Sequence, residues 1–512
     1  MPKSTLTITG KDLTFDEIRF FLDKNPRVKF DEAVVETIKD SRQIIKDILN
    51  TGKVVYGVNT GFGKFADVRI KKEKTEELQK RLVLSHAAGV GSPMPQDIVR
   101  LMMLLKIKNL SHGYSGARLK IVKMLADMLN KNITPFVPQK GSVGASGDLA
   151  PLAHIAAVMI GEGEAFIDGR KMSGAEALAA KKMKPLALGA KEGLAVLNGT
   201  QAIQAYGIMS ILKARNLIKS ADIIGAMSLE ALLGTLTAFD ERIHRIRRHP
   251  GQLLAAKNVK MLLQDSPIVK SHILSDHKVQ DAYCLRCIPQ VHGAVRDGFE
   301  YVQSVFEREM NGVTDNPLVF PDNGDVLSGG NFHGEPAALA ADYLGIIISE
   351  LANISERRIE HMLDPAVSEM AGFLTEEGGL NSGFMIAHVT AAALVSENKV
   401  LTHPSSVDSI PTSANKEDHV SMGTFAARKA LEIIENVTNV LAVELVCAAQ
   451  ALDLRAPLEP APATAKILGT VREVIAHWKV DRYMKKDIDA AAELIESGRI
   501  VDDAEKVLGK LD

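Results

Sequence analysis

Ala340, Leu344, Ile347, Leu351 and Ile354 fall four, three, four and three residues apart, the spacing of one stripe on a helix that packs against other helices. Pro336 suits the first turn of that helix. Most positions between the stripe residues are apolar too, so residues 337–362 are expected to be surrounded by other helices and not laid on a surface. Residues 203–233 and 385–401 read the same way, and helical periods begin near Asp97. Helices this long limit the chain to a mainly α architecture, a long-helix bundle. The 46% hydrophobic content of its 512 residues supplies the core.

The N-terminal part is more mixed. An alternating run at residues 6–8 suggests a short strand, and Thr14-Phe15-Asp16-Glu17 has the spacing of a capping box, which predicts a helix start. From Val54 to Gly63 an apolar pair is followed by Gly57, Asn59, Gly61 and Gly63, the composition of a loop that can carry chemistry. Near the other end, Pro457, Pro460 and Pro462 break the helical pattern and lead into a last helical segment ending near Gly498. The expected division is a part at residues 1–110, carrying Tyr56 and Ser85-His86, and a helical body at 111–512, with a C-terminal helical segment after about 463.

Charge and cysteine usage exclude several functions. With 61 basic and 63 acidic residues the formal net charge is -2, so no global field draws nucleic acid or an anionic membrane, and a small-molecule partner is expected. Residues 1–11 hold no signal-type apolar stretch, and the most apolar run, 337–354, is interrupted by Asp342 and Glu350; a cytoplasmic protein is expected. Cys284, Cys287 and Cys447 cannot form a disulfide framework, and a lone C-x-x-C lacks the second pair of a zinc ribbon. The His244/His249 and His272/His277 pairs are spaced by five, not by the four of a helical chelate, and read as surface histidines. No metal site is expected.

The chemistry is concentrated in Gly141-Ser142-Val143-Gly144-Ala145-Ser146-Gly147-Asp148, which runs into a helix from Leu149. It is neither a phosphate loop, lacking G-x-x-x-x-G-K-[ST], nor a G-x-S-x-G elbow, because Asp148 stands where the second glycine belongs. What Ala145-Ser146-Gly147 allows is ring closure. Without a side chain on Gly147, its amide nitrogen can reach the carbonyl carbon of Ala145. One water leaves on closure and a second takes the Ser146 hydroxyl, giving a 4-methylidene-imidazol-5-one, an electrophile no ordinary side chain matches. Asp148 is placed to assist the proton movements.

On these residues the chain resembles the histidine ammonia-lyases, within the wider group of aromatic amino-acid ammonia-lyases and aminomutases. Besides residues 141–154, the resemblance rests on Tyr56-Gly57-Val58-Asn59-Thr60-Gly61-Phe62-Gly63, residues 82–91 around Ser85-His86, Leu197-Asn198-Gly199-Thr200-Gln201, Val279-Gln280-Asp281-Ala282-Tyr283, Ser328-Gly329-Gly330-Asn331-Phe332-His333 and Glu417-Asp418-His419-Val420-Ser421-Met422. It covers nearly the whole chain. It implies a fumarase/aspartase-like superhelical core with a smaller mixed N-terminal part, and elimination of ammonia from L-histidine to give urocanate. The electrophile would form autocatalytically from Ala145, Ser146 and Gly147, with no external cofactor. A homotetramer with shared active sites is implied as well.

The resemblance also implies roles. Tyr56 matches the base that removes the β-proton; a free tyrosine titrates near 10, so it needs positive potential, from helix N-termini or Arg286. Arg286 matches the partner of the substrate carboxylate, for which a guanidinium offers two parallel donors. Asn198, Gln280, Tyr283 and Phe332 match other positions around the substrate: hydrogen-bonding amides, a second phenol and a packing wall. His86 and Glu417 follow the histidine pattern, since an imidazole both donates and accepts hydrogen bonds where a phenyl ring would leave Glu417 without a partner. Lys416 departs from the Gln or Thr that many relatives carry there and is expected to face solvent. Whether the substrate amine or its ring engages the electrophile stays open. The rival readings are a phenylalanine or tyrosine lyase or 2,3-aminomutase, a fumarase/aspartase-type lyase, whose mobile Gly-Ser-Ser loop is absent, and a helical scaffold without activity.

Overall fold

The computed structural model describes residues 4–61, 63, 69–273 and 279–512; Phe62 of the glycine loop and His277 lie outside them. The fold is mainly helical. Helices Gln201–Ala231, Glu335–Leu363 and Gly423–Leu454 run 31, 29 and 32 residues, and Met385–Leu401 has the bounds its sequence suggests. Strands are short. Thr5–Ile8 pairs in parallel with Arg27–Phe30, and Glu164–Ile167 lies between Thr134–Pro135 and Arg170–Ser173. Thr14 and Glu17 form the reciprocal capping box that starts helix Phe15–Lys24.

Three expectations need correction. Helix Glu335–Leu363 buries the stripe from Ala340 to Ile354 but leaves Leu339, Tyr343 and Ile346 exposed, so it is not enclosed on every side. The C-terminal helical segment does not end at Gly498: that glycine, at φ +76°, turns the chain into a further helix, Arg499–Leu508. His244 and His272 are buried, held by the Ala238 carbonyl and Gln252 and by the Gly234 carbonyl respectively. Spacing alone cannot reveal that a histidine among charged neighbours has an internal acceptor.

Contacts group the chain into two units, each assembled from three stretches, a grouping that the linear division at residue 110 does not address. The first comprises Met1–Met209, Gln303–Asp342 and Pro404–Arg428. Its centre is helix Gln96–Ser111, buried from Leu101 through Ser111, with Phe15–Lys24, Glu32–Thr51 and Leu119–Asn130 packed around it. Helices Thr75–His86, Leu149–Met159 and Glu192–Leu197 pack on one another in the same unit and bring three chemistry-bearing residues together at their ends.

The second comprises Ser210–Val302, Tyr343–His403 and Lys429–Asp512. Here buried polar ties fix how residues 210–231, 343–363 and 429–454 align. Arg358 donates to both oxygens of Glu444, at 2.5 and 2.8 Å, and the Ser228 hydroxyl donates to the same carboxylate at 2.6 Å. Leaving any one of these charges unpaired would destabilise the fold by about 3–5 kcal/mol. Helices Glu335–Leu363 and Gly423–Leu454 are long and apolar enough to cross a membrane, but 72% and 83% of their apolar windows are buried inside the protein, the property of core helices. The cysteines are free, and burial pushes the Cys284 thiol up to about 11, which keeps it protonated.

Candidate active site

A cavity of about 320 Å³ in the first unit is lined by Tyr56, His86, Ser146, Asn198, Phe332 and Glu417. Six residues singled out from sequence, spread over more than 350 positions, share one wall space suited to a small molecule. Gly63, Asn316, Ser413, Leu82, Leu149 and Leu194 complete the lining. Two larger cavities in the second unit, about 740 and 710 Å³, contain none of these residues.

Local structure explains each placement. The Tyr56 loop is stapled by Asn59, whose side chain accepts from the Val55 N–H at 2.9 Å and donates to the Lys53 carbonyl at 2.9 Å. Val58 anchors it in a cluster with Ile45, Ile48, Ala190 and Val319. The Tyr56 hydroxyl accepts a long 3.5 Å bond from the Gly63 N–H. His86 ends helix Thr75–His86, with Nδ1 2.8 Å from the Leu82 carbonyl. That bond places the proton on Nδ1 and leaves Nε2 as an acceptor. Burial holds the His86 imidazole below its ordinary pKa, against the opposing pull of the Leu82 carbonyl and Glu417, so the ring is neutral at neutral pH.

Ser146 sits just before helix Leu149–Met159 and donates from Oγ to Glu417 Oε1 at 3.3 Å. The other oxygen of Glu417 accepts from the Thr412 and Ser413 hydroxyls at 2.7 and 2.8 Å. The turn that aims Glu417 is strained: Ser413, Ala414 and Asn415 all have positive φ, at 50°, 52° and 62°. Left-handed backbone costs about 1–2 kcal/mol for each such residue, a concentration typical of functional sites. Lys416 is exposed, as expected.

The Ala145-Ser146-Gly147 tripeptide is gripped by Gly199. The Gly199 N–H donates to the Ser146 carbonyl at 3.3 Å, and the Asp148 N–H donates to the Gly199 carbonyl at 2.7 Å. Gly147, at φ +71°, lies so close that a Cβ there would run into the Gly199 carbonyl oxygen. Gly147→Ala is therefore expected to lower unfolding stability by about 1–3 kcal/mol, read as a lower urea midpoint at unchanged slope. Among the described residues the Gly147 N–H has no hydrogen-bond acceptor. Asp148 is fully buried and accepts from the Thr424 hydroxyl at 2.5 Å and from the Ala202 and Ile203 N–H groups at 2.7 and 3.0 Å, which anchors the start of helix Gln201–Ala231. Burial pushes its carboxyl up to about 6, against those bonds.

His154, on the helix after Ser146, accepts the Gly89 N–H at 3.1 Å and ties down the loop that follows His86. Asn198 donates from Nδ2 to the Asn316 carbonyl at 2.7 Å and to Asp315 Oδ1 at 3.3 Å; Asp315 in turn pairs with the fully buried Lys191 at 2.8 Å. Sequence gave no local sign of Asn316, since Thr314-Asp315-Asn316-Pro317 reads only as a turn.

Gln280, Tyr283 and Arg286 are not in this lining. They belong to the second unit, where Gln280 is exposed, Tyr283 is 71% exposed and the Arg286 guanidinium lies 4.5 Å from the centre of the Tyr283 ring. His333, Glu335 and His419 bring potential ligand atoms within 4.8 Å of one another. Both ring nitrogens of His333 are already engaged, Nδ1 by the Glu335 N–H and Nε2 by the His419 carbonyl, which leaves Glu335 and His419 as the two uncommitted ligands of the group.

The family model described as aromatic amino acid lyase matches residues 13–473. A protein of Natranaerobius thermophilus named histidine ammonia-lyase is 51% identical over 98% of this chain and 99% of its own. Among solved structures, histidine ammonia-lyase from Trypanosoma cruzi superposes with a TM-score of 0.92 at 42% identity, over 98% of this chain and 96% of the other. Tyrosine aminomutase from Streptomyces globisporus does so with a TM-score of 0.93 at 34% identity, over 99% of each chain.

Proposed function

The chain belongs to the aromatic amino acid lyase family, and from that premise we propose that it eliminates ammonia from L-histidine to give urocanate, with an electrophile made from its own backbone. The observation that carries this reading is the meeting of Ser146 Oγ with the Glu417 carboxylate in a cavity also lined by Tyr56 and His86. The tripeptide fits ring closure: Gly147 has no room for a side chain, its N–H has no acceptor among the described residues, and Gly199 bends the backbone from both flanks. A 4-methylidene-imidazol-5-one formed there supplies the electrophile that activates the amino acid for loss of ammonia.

Everything else falls to ordinary side chains. Tyr56 takes the β-proton. Neutral His86, through its Nε2 lone pair, and the Glu417 carboxylate are both acceptors, so together they hold the two N–H groups of the substrate ring as an imidazolium. Phe332, Leu82 and Leu194 keep water from the reacting carbon. Arg286 binds the substrate carboxylate, with Asn198, Gln280 and Tyr283 around it. We take these roles to be filled in the homotetramer with shared sites that the resemblance implies, and the 71% exposure of Tyr283 and the absence of Gln280, Tyr283 and Arg286 from the cavity lining support that reading. Helix Met385–Leu401 supports such association: it is apolar yet leaves Ile386, Val389 and Val400 exposed. The setting is cytoplasmic.

The purified protein incubated with L-histidine is expected to give urocanate, followed by its ultraviolet absorbance, and no cinnamate-type product or β-amino acid from phenylalanine or tyrosine. A preference for either of those substrates would overturn the assignment. Glu417→Gln is expected to reduce kcat/KM for histidine by about 10–100-fold, since it removes the charged acceptor from a site built to bond the imidazole. An unchanged kcat/KM would remove Glu417 from substrate recognition.

A further inference from the structure

Lys106 is fully buried on helix Gln96–Ser111, and its ammonium donates to the carbonyl oxygen of Asn198. That is its one hydrogen bond among the described residues. Burial pulls its ammonium down to about 7; Asp315 and Asp148 favour the charged form, and Lys191 opposes it. Burying a cation against a single neutral acceptor is costly, and a methionine of similar length would fill the space without that cost. The position therefore calls for a use of the charge.

The peptide it touches supplies one. In a trans peptide the C=O and N–H point in opposite directions. The Asn198 carbonyl points to Lys106, and the Gly199 N–H of the same peptide points to the Ser146 carbonyl, 3.3 Å away. A cation at one end of a peptide strengthens the donor at the other. We infer that Lys106 is a positioning residue for the maturation of Ser146: through the Asn198–Gly199 peptide it stabilises negative charge on the Ser146 carbonyl oxygen while the serine loses water. In that step the Cα–H bond of Ser146 breaks and its electron pair is delocalised onto the carbonyl oxygen. The pair then forms the Cα=Cβ bond as the Cβ–Oγ bond breaks, and hydroxide with the released proton makes the water. The Gly199 N–H faces the oxygen on which charge gathers, as an oxyanion donor does. Lys191 does not touch this peptide; its ammonium bonds Asp315.

This inference rests on the proposed self-made electrophile. The test follows intact mass after arrest of synthesis in wild type, Lys106→Met, Lys106→Gln and Lys191→Met, with the thermal midpoint of each folded sample. Wild type is expected to lose two waters. Lys106→Met and Lys106→Gln are expected to fold, and to lose the second water roughly tenfold to a hundredfold more slowly, with chains one water short accumulating. Lys191→Met is expected to mature at the wild-type rate. Maturation of both Lys106 variants at the wild-type rate overturns the inference, as does equal slowing in Lys191→Met with a matching fall in thermal midpoint, or failure of both Lys106 variants to fold, since each makes the residue merely structural. A wild type at full mass would instead overturn the self-made electrophile itself.

Discussion

Tyr56→Phe is expected to lower kcat on L-histidine by about 10²–10⁴-fold, the range for losing a positioned general base, with a much smaller change in KM. The substitution removes one oxygen from a loop whose shape does not depend on it. Asn59 staples the backbone on both sides, Val58 is buried in an apolar cluster, and among the described residues the only bond lost is the long one from the Gly63 N–H. The thermal midpoint should therefore stay put while the chemistry fails. Because the ring remains, substrate binding is retained, and the loss appears in the step where the β-proton leaves. Steady-state kinetics with histidine check this, and a kcat equal to wild type would take Tyr56 out of the mechanism.

Ser146→Ala is expected to be more damaging, with activity reduced by about 10³-fold or more. The change is small in volume and removes one 3.3 Å hydrogen bond to Glu417, whose other oxygen keeps two donors. Glu417 should hold its place, and histidine should still bind. What disappears is the Cβ–Oγ bond that has to break to generate the methylidene, for which alanine offers no leaving group. Calorimetric binding of histidine beside an activity assay separates the two effects: binding retained with turnover lost is the expected outcome, and turnover near wild type would exclude Ser146 as the source of the electrophile.

The helical plan was legible because its cause is local. The four-three spacing from Ala340 to Ile354 and the Thr14–Glu17 box each specify an element without reference to the rest of the chain. The exposed face at Leu339, Tyr343 and Ile346 was not legible, because periodicity registers apolar character and not what covers it. The cavity wall was legible in six motif residues, carried by resemblance. Asn316 and Lys106 were not: Asn316 reads as a turn residue, and Lys106 acquires its meaning only from a carbonyl 92 positions away. A faint sign existed in Met102-Met103-Leu104-Leu105-Lys106-Ile107, where the apolar residues on both sides leave no solvent face for a lysine. Gly147 and Gly199 show the same limit, since the composition of each loop suggests flexibility while their close approach explains why no side chain fits at Gly147.

The central claim is a covalent change in the chain, and intact-protein mass spectrometry of the purified wild type beside Ser146→Ala tests it most directly. The expected result is a wild type two waters lighter than its sequence requires and a Ser146→Ala chain at full mass. A wild type at full mass that still converts histidine to urocanate would contradict it.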